Sequence, residues 1–174
     1  MKEFSGPAIF LDRSDINTDE IIPAKYLTEI SKAALKPYLL EDLQLDGFKP
    51  DSPALRRARV VVSRANFGCG SSREHAVWVL EVNDINVVIA ESFARIFRQN
   101  MFNCGMLAIE LPAADIEALF ALGGTAEIAV DIDHNLLKAR SAPGQELSFH
   151  FSLDPFDREL ILAGGWLAYA DRKY

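Results

Sequence analysis

Cysteine and histidine are scarce in this chain of 174 residues, which has two of the first and three of the second. An iron–sulfur cluster takes about four thiolates and a structural zinc ion about four nitrogen or sulfur ligands, so neither fits this chain alone. Demanding metal chemistry must come from elsewhere. Cys69 and Cys104 lie thirty-five residues apart, without a CxxC spacing, among glycines and apolar residues. That setting predicts free thiols in a reducing compartment. Long hydrophobic runs are also missing. None approaches the roughly 18–20 residues that span a bilayer. The start, Met-Lys-Glu-Phe-Ser-Gly-Pro, lacks the apolar region of a signal peptide, and a cytoplasmic location is expected. An excess of positive charge is lacking too: 18 Lys and Arg face 25 Asp and Glu, for a net charge of −7. This speaks against a nucleic-acid or anionic membrane partner. A small anionic substrate stays possible, since one well-placed arginine is enough for it.

What is present is an ordinary globular mix, 49% apolar and 25% charged, of a size that predicts one domain over 1–174. Residues 8–11 (AIFL) read as a short buried strand, and 12–27 as a long shaped loop rich in acids and turn formers. Residues 31–55 are broken by Pro37, Gly47, Pro50 and Pro53, which predicts short helical turns and an exposed, mobile excursion. From 59 the pattern changes. The runs RVVVS (59–63), NVVIA (86–90) and MLAIEL (106–111) are continuously apolar, as strands buried on both faces are. Helical patterns over 73–82 and 92–102 separate them, so the segment predicts a parallel sheet with right-handed crossovers. A helix over 112–122 follows, opened by Pro112 and closed before Gly123-Gly124. Then the period becomes two: 126–132 and 136–140 flank an Asp-His-Asn turn, 147–151 add a strand, and a helix over 155–163 closes the chain. The fold class expected is α/β, a three-layer β/β/α domain with a mostly parallel sheet and an additional hairpin sheet.

The sharpest chemical feature is the stretch Asn66-Phe67-Gly68-Cys69-Gly70-Ser71-Ser72-Arg73-Glu74-His75 between a buried strand and a helix. Backbone amides at such a junction favour negative charge, and glycines let the main chain approach a ligand. Arg73 is suited to pair with a carboxylate, and a serine there to act as base or nucleophile. The plainer reading is structural, because Ser71 and Glu74 have the spacing of a capping box. The stretch lacks the GK[ST] ending of a phosphate loop, and Arg73 stands where a nucleophile elbow needs its second glycine. His75 reads as a satisfied, partly buried histidine rather than a catalytic one. His134 and His150 are read as uninvolved, and Cys69 as a small buried residue.

Two more stretches stand out. Asp15-Ile16-Asn17-Thr18-Asp19-Glu20 carries three acids in six residues but lacks the calcium-loop glycine and terminal glutamate. A loop held by Asx and Thr side-chain hydrogen bonds is the economical reading. Arg95 and Arg98 lie one turn apart on the helix after the second buried strand. That is ordinarily a solvated face, but it lies near the strand end where α/β ligands gather.

Taken together, DINTDEIIPAKYL (15–27), NFGCGSSREHA (66–76) and VVIAESFARIFRQNMFNCGMLAIEL (87–111) resemble the small subunits of the isopropylmalate dehydratases, the counterpart of the swivelling domain of aconitase. The likeness covers most of the first 111 residues in order and spacing, with a weaker echo in 151–165. It implies the following. A large partner subunit holds a [4Fe–4S] cluster, and this chain, with no cofactor of its own, closes over it. Ser71 corresponds to the alkoxide base that removes the carbon-bound proton, and Ser72 and Arg73 to groups that hold substrate carboxylates. The loop Lys25-Tyr26-Leu27-Thr28 corresponds to the substrate-choosing segment. Relatives acting on tricarboxylates carry an arginine thereabouts, and this chain has none between Arg13 and Arg56. The resemblance therefore implies a hydro-lyase that isomerises isopropylmalate by dehydration and rehydration in leucine biosynthesis. The alternatives are a relative acting on dimethylmalate, methylmalate (citramalate) or homoaconitate, with Lys25 neutralising an extra carboxylate, and a swivel domain that binds a ligand without catalysis.

Overall fold

The structure is a computed structural model and describes residues 1–124, 126–142 and 144–174. Four strands run parallel: β1 (Gly6–Phe10), β2 (Val60–Val62), β3 (Val87–Ala90) and β4 (Leu107–Glu110). Every residue of β2 and β3 is buried, which is why their sequences are unbroken valine, isoleucine and alanine. Three antiparallel strands, β5 (Glu127–Asp131), β6 (Leu136–Ser141) and β7 (Gln145–His150), continue the sheet in the order β4-β3-β2-β1-β5-β6-β7. The hairpin sheet is thus not detached. The first residues of β1, Gly6 and Pro7, pair with β5, and its last three, Ala8–Phe10, pair with β2. One strand serves both halves.

The expected crossover helices are present as α4 (His75–Val82) and α5 (Arg95–Asn103), which pack against each other. Helix α6 (Ala113–Ala121) lies against β2, with Phe120 edge-on to Phe10 at 5.3 Å. Because β1, β2 and β3 are parallel, their carboxyl ends emerge on one edge. The loops that follow them, 11–17, 63–74 and 91–94, therefore meet there.

Three expectations change. The loop over 12–27 contains a short helix, α1 (Thr18–Ile21), closed by a capping box: Asn17 accepts from the Glu20 amide, and Glu20 accepts from the Asn17 amide. The excursion at 31–55 is packed down rather than free. Through α2 (Lys32–Leu35), a 3₁₀ turn (Lys36–Tyr38) and α3 (Pro53–Arg57), it buries Leu35, Leu39, Leu40, Leu43 and Leu55 in the core. The helix α7 (Pro155–Ala163) does not close the chain. Gly164 ends it in a left-handed turn, and α8 (Trp166–Lys173) follows. Among the described residues no helix is long and apolar enough to cross a membrane.

Candidate active site

The segment between β2 and α4 is fixed from three sides. Asn17 bridges Cys69 as a parallel pair, the Thr18 amide donates to the Cys69 carbonyl at 2.8 Å, and the Gly68 amide donates to Ile16 at 2.8 Å. On the other side Phe67 bridges Phe93, and the Asn66 amide donates to the Ser92 hydroxyl at 2.8 Å. Beneath, the Phe67 ring meets Phe93 and Phe97 edge-on, at 6.2 and 5.5 Å. The three stretches that stand out in the sequence are therefore one construction.

Its two glycines have different reasons. A Cβ on Gly68 would sit 2.2 Å from the Phe97 ring, and its φ is +81°. Gly70, at φ +96°, has room around it, the nearest atom being the Thr18 hydroxyl oxygen at 3.4 Å from where a Cβ would stand. Sterics demand glycine at the first and the left-handed backbone favours it at the second. Asn66 and Asp15 also adopt left-handed conformations, and the Asn66 side-chain amide donates to the Asp15 carboxylate at 2.9 Å.

Beyond Gly70 the chain is held lightly. Helix α4 begins at His75 rather than at Arg73, with Glu74 as an N-cap that makes no side-chain hydrogen bond. The Ser71–Glu74 capping box therefore does not form. Ser71 and Ser72 are exposed, and among the described residues neither hydroxyl makes a hydrogen bond. Arg73, less exposed, donates to Asp19 at 2.8 Å, an ion pair that aims the guanidinium across the mouth of the segment. Two exposed serines beside an arginine make a surface on which an acid can be held by its carboxylates.

Asp19 and Thr18 carry more than the loop-forming role their sequence suggests. Thr18 is buried, and its hydroxyl oxygen, under Gly70, has no hydrogen-bond partner among the described residues. An acid two residues after a capping asparagine was the available signal for a partner to Arg73.

The loop Lys25–Thr28 is placed by its neighbours. Tyr26 stacks on Tyr38 with centroids 3.8 Å apart and donates its hydroxyl to Glu41 at 2.7 Å. Burial, then the bond to Glu41, push its phenol up to about 12. Lys25 faces Glu41 at 3.7 Å, Leu27 is half-buried and Thr28 exposed. His75 bonds through Nε2 to the Glu29 carbonyl at 3.0 Å and rests against Trp78, as a satisfied histidine does. The two arginines of α5 separate. Arg95 is exposed, whereas Arg98 turns to Glu110 and the buried Asp157, each at 3.7 Å.

The thiols do not suit cluster ligation. There are two, both half-buried and free. Burial pushes the Cys69 thiol up and the Cys104 thiol up to about 11, so neither is a ready thiolate.

The Aconitase C-terminal domain family matches residues 1–114. The chain is 37% identical over 165 residues to the 3-isopropylmalate dehydratase small subunit of Zymomonas mobilis, covering 94% of this chain and 84% of that one. It is 41% identical over 157 residues to small subunit 2 of the same name from Deinococcus radiodurans, covering 90% and 71%. Among solved structures it is similar to the crystal structure of a 3-isopropylmalate dehydratase from Methanocaldococcus jannaschii. There the TM-score is 0.77 and the identity 28%, over 98% of this chain and 94% of that chain.

Proposed function

The chain belongs to the aconitase C-terminal domain family, as a small subunit of the 3-isopropylmalate dehydratase type, and on that premise we propose how its residues serve the reaction. It is one part of a hydro-lyase. The large partner subunit carries the iron–sulfur cluster, which supplies the Lewis acid for the departing hydroxyl. This chain, in the cytoplasm, is the single lid-like domain that closes over it.

Ser71, as its alkoxide, takes the proton from the carbon next to the one that bears the hydroxyl. The C–H electron pair becomes the double bond as the C–O bond breaks, and the proton stays on Ser71. The hydroxyl departs with the C–O pair as hydroxide, so the elements of water are lost and an unsaturated diacid remains. Water then adds back with the positions of hydrogen and hydroxyl exchanged. Ser72 and Arg73 hold the carboxylates so that the reacting carbon stays over Ser71 through both halves. The positive charge of Arg73 favours the serine oxyanion.

The observation that carries this reading is the state of Ser71 and Ser72. They are exposed, their hydroxyls make no hydrogen bond among the described residues, and yet a base of backbone bridges and edge-on rings presents them. A serine needed only as a cap would be capping.

For the substrate, Lys25 is the one cation between Arg13 and Lys32, and it already faces Glu41. The loop therefore offers no free charge for a third carboxylate. Half-buried Leu27 gives apolar surface for a branch, so isopropylmalate is the substrate we assign. The test is anaerobic assembly with the cognate large subunit and a panel of branched malates and homoaconitate, followed by absorbance of the unsaturated acid. Turnover with isopropylmalate by the pair and none by this chain alone is expected. Turnover by this chain alone would refute the two-subunit reading, and preference for homoaconitate would refute the substrate.

A further inference from the structure

We propose that Glu41 and His75 are positioning residues that pin the substrate-choosing loop on either side of Leu27-Thr28, so that selectivity is set partly from outside the loop. This rests on the reading of residues 25–28 as that loop.

Leu27 and Thr28 lie between two anchors of different origin. The first comes from the excursion at 31–55. Tyr26 lies flat on Tyr38, the planes 9° apart, and its hydroxyl donates to Glu41. A carboxylate only accepts, so Tyr26 keeps its proton in this bond. Lys25 closes the cluster, with its ammonium 3.7 Å from Glu41 and 5.2 Å from the Tyr26 ring centroid. The anchor itself does not drift. Leu39 and Leu40 beside it are buried, the Leu40 amide donates to Ile21 at 2.9 Å, and Asn83 of the turn after α4 donates to the Lys36 carbonyl at 3.2 Å.

The second anchor comes from the start of α4. The Glu29 carbonyl accepts from His75 Nε2, so that nitrogen carries a proton, and the ring is steadied against Trp78 at 4.8 Å. His75 is two residues beyond Arg73. The same bond therefore ties the loop to the segment that carries Ser71, Ser72 and Arg73. Within the loop, the Leu27 amide donates to Ala24 and the Glu29 amide to Tyr26, turn bonds that hold only while the ends stay put. Further along, Ile30 is 96% exposed, so little packing holds the loop there. The order of Leu27-Thr28 is imposed from its ends, and a loop ordered in advance spares the substrate the entropy of ordering it.

A merely structural role for Glu41 and His75 would appear in stability and not in choice of substrate. The experiment uses the assembled two-subunit enzyme with isopropylmalate and citramalate, substrates that differ in the size of the branch. Melting temperature and amide hydrogen exchange over 26–30 are measured beside kcat and KM. Glu41→Ala is expected to raise KM for isopropylmalate about tenfold, with kcat within about twofold, and to shift the preference between the two substrates about fivefold. Exchange at Leu27 and Glu29 should quicken about tenfold. Glu41→Gln keeps an oxygen that accepts from Tyr26 and should stay within about twofold of the parent throughout. His75→Phe keeps a ring against Trp78 but cannot donate, and should reproduce the effects of Glu41→Ala from the other end.

Unchanged preference and exchange in Glu41→Ala and His75→Phe would overturn the inference. So would equal damage in Glu41→Ala and Glu41→Gln, which would show a charge effect in place of a hydrogen bond. Leu27→Ala and Thr28→Ala separate the two layers. If they shift preference and the anchor variants do not, the anchors fail and the loop reading stands. If Leu27→Ala and Thr28→Ala leave preference untouched, the loop reading itself falls and takes the inference with it.

Discussion

Arg73 and Asp19 are fifty-four residues apart in sequence and 2.8 Å apart in space, and their bond spans the mouth of the serine segment. The Asp19 side chain is largely exposed, so the pair is screened and contributes at most about 1 kcal/mol to the fold. Its value lies in aim. Arg73→Lys keeps the charge but loses the planar fork, and should lower kcat/KM about 10–100-fold while the melting temperature moves by less than about 3 °C. Asp19→Asn should leave stability nearly unchanged and raise KM modestly, because Arg73 then has to be ordered by the substrate. Steady-state kinetics and thermal melting of the assembled enzyme check both.

The two glycines of the same segment should respond unequally to alanine. At Gly70 the left-handed backbone alone is strained, and Gly70→Ala should cost about 1 kcal/mol. At Gly68 the added methyl would also meet the Phe97 ring, and Gly68→Ala should cost about 3 kcal/mol or more. Urea denaturation of the isolated chain measures the difference. Equal costs would mean that the ring yields freely.

The parallel core was legible because residues buried on both faces leave an unbroken apolar run, as in Val60–Val62 and Val87–Ala90. The period-two pattern of β5 to β7 was legible for the complementary reason, one face being covered. What sequence alone did not place was non-local. That β1 divides its length between β2 and β5 depends on residues more than fifty and a hundred positions away. The excursion at 31–55 read as exposed because prolines and glycine dominate its pattern. Five of its six leucines, unevenly spaced, nevertheless find the core. Helix α8 was hidden behind Gly164-Gly165, and Trp166 and Leu167 stay exposed, so it shows no buried stripe. At the site, two capping-box spacings compete. Asn17-x-x-Glu20 closes and Ser71-x-x-Glu74 does not, because the helix start slides to His75.

Glu81 gives the fold a predictable acid limb. Burial works against its charge, yet hydrogen bonds from Lys2 and Lys32, each at 2.8 Å, prevail and hold the carboxyl below its ordinary value of 4.5. A carboxyl depressed in the folded state contributes stability that is complete above the unfolded pKa and is lost as pH falls through the native one. The melting temperature should therefore decline between about pH 5 and pH 3, and Glu81→Gln should flatten that part of the decline while lowering the plateau. A decline of unchanged steepness in Glu81→Gln would assign the acid limb to other carboxyls.

Ser71→Ala separates the base from the cap by reading two quantities at once. A catalytic base acts on rate, so kcat of the assembled enzyme should fall about 10²–10⁴-fold with KM little changed. A cap acts on the fold, and its removal would cost about 1 kcal/mol. The Ser71 hydroxyl makes no hydrogen bond among the described residues and α4 starts four positions later, so the melting temperature and assembly with the large subunit should stay as in the parent. Ser72→Ala should instead raise KM and spare most of kcat, since the role proposed for that residue is to hold substrate without exchanging its proton. Full activity in Ser71→Ala would remove the proposed base. A loss of activity accompanied by a markedly lower melting temperature would return Ser71 to a structural role, and only inactivity with an undisturbed fold fits a serine presented for chemistry.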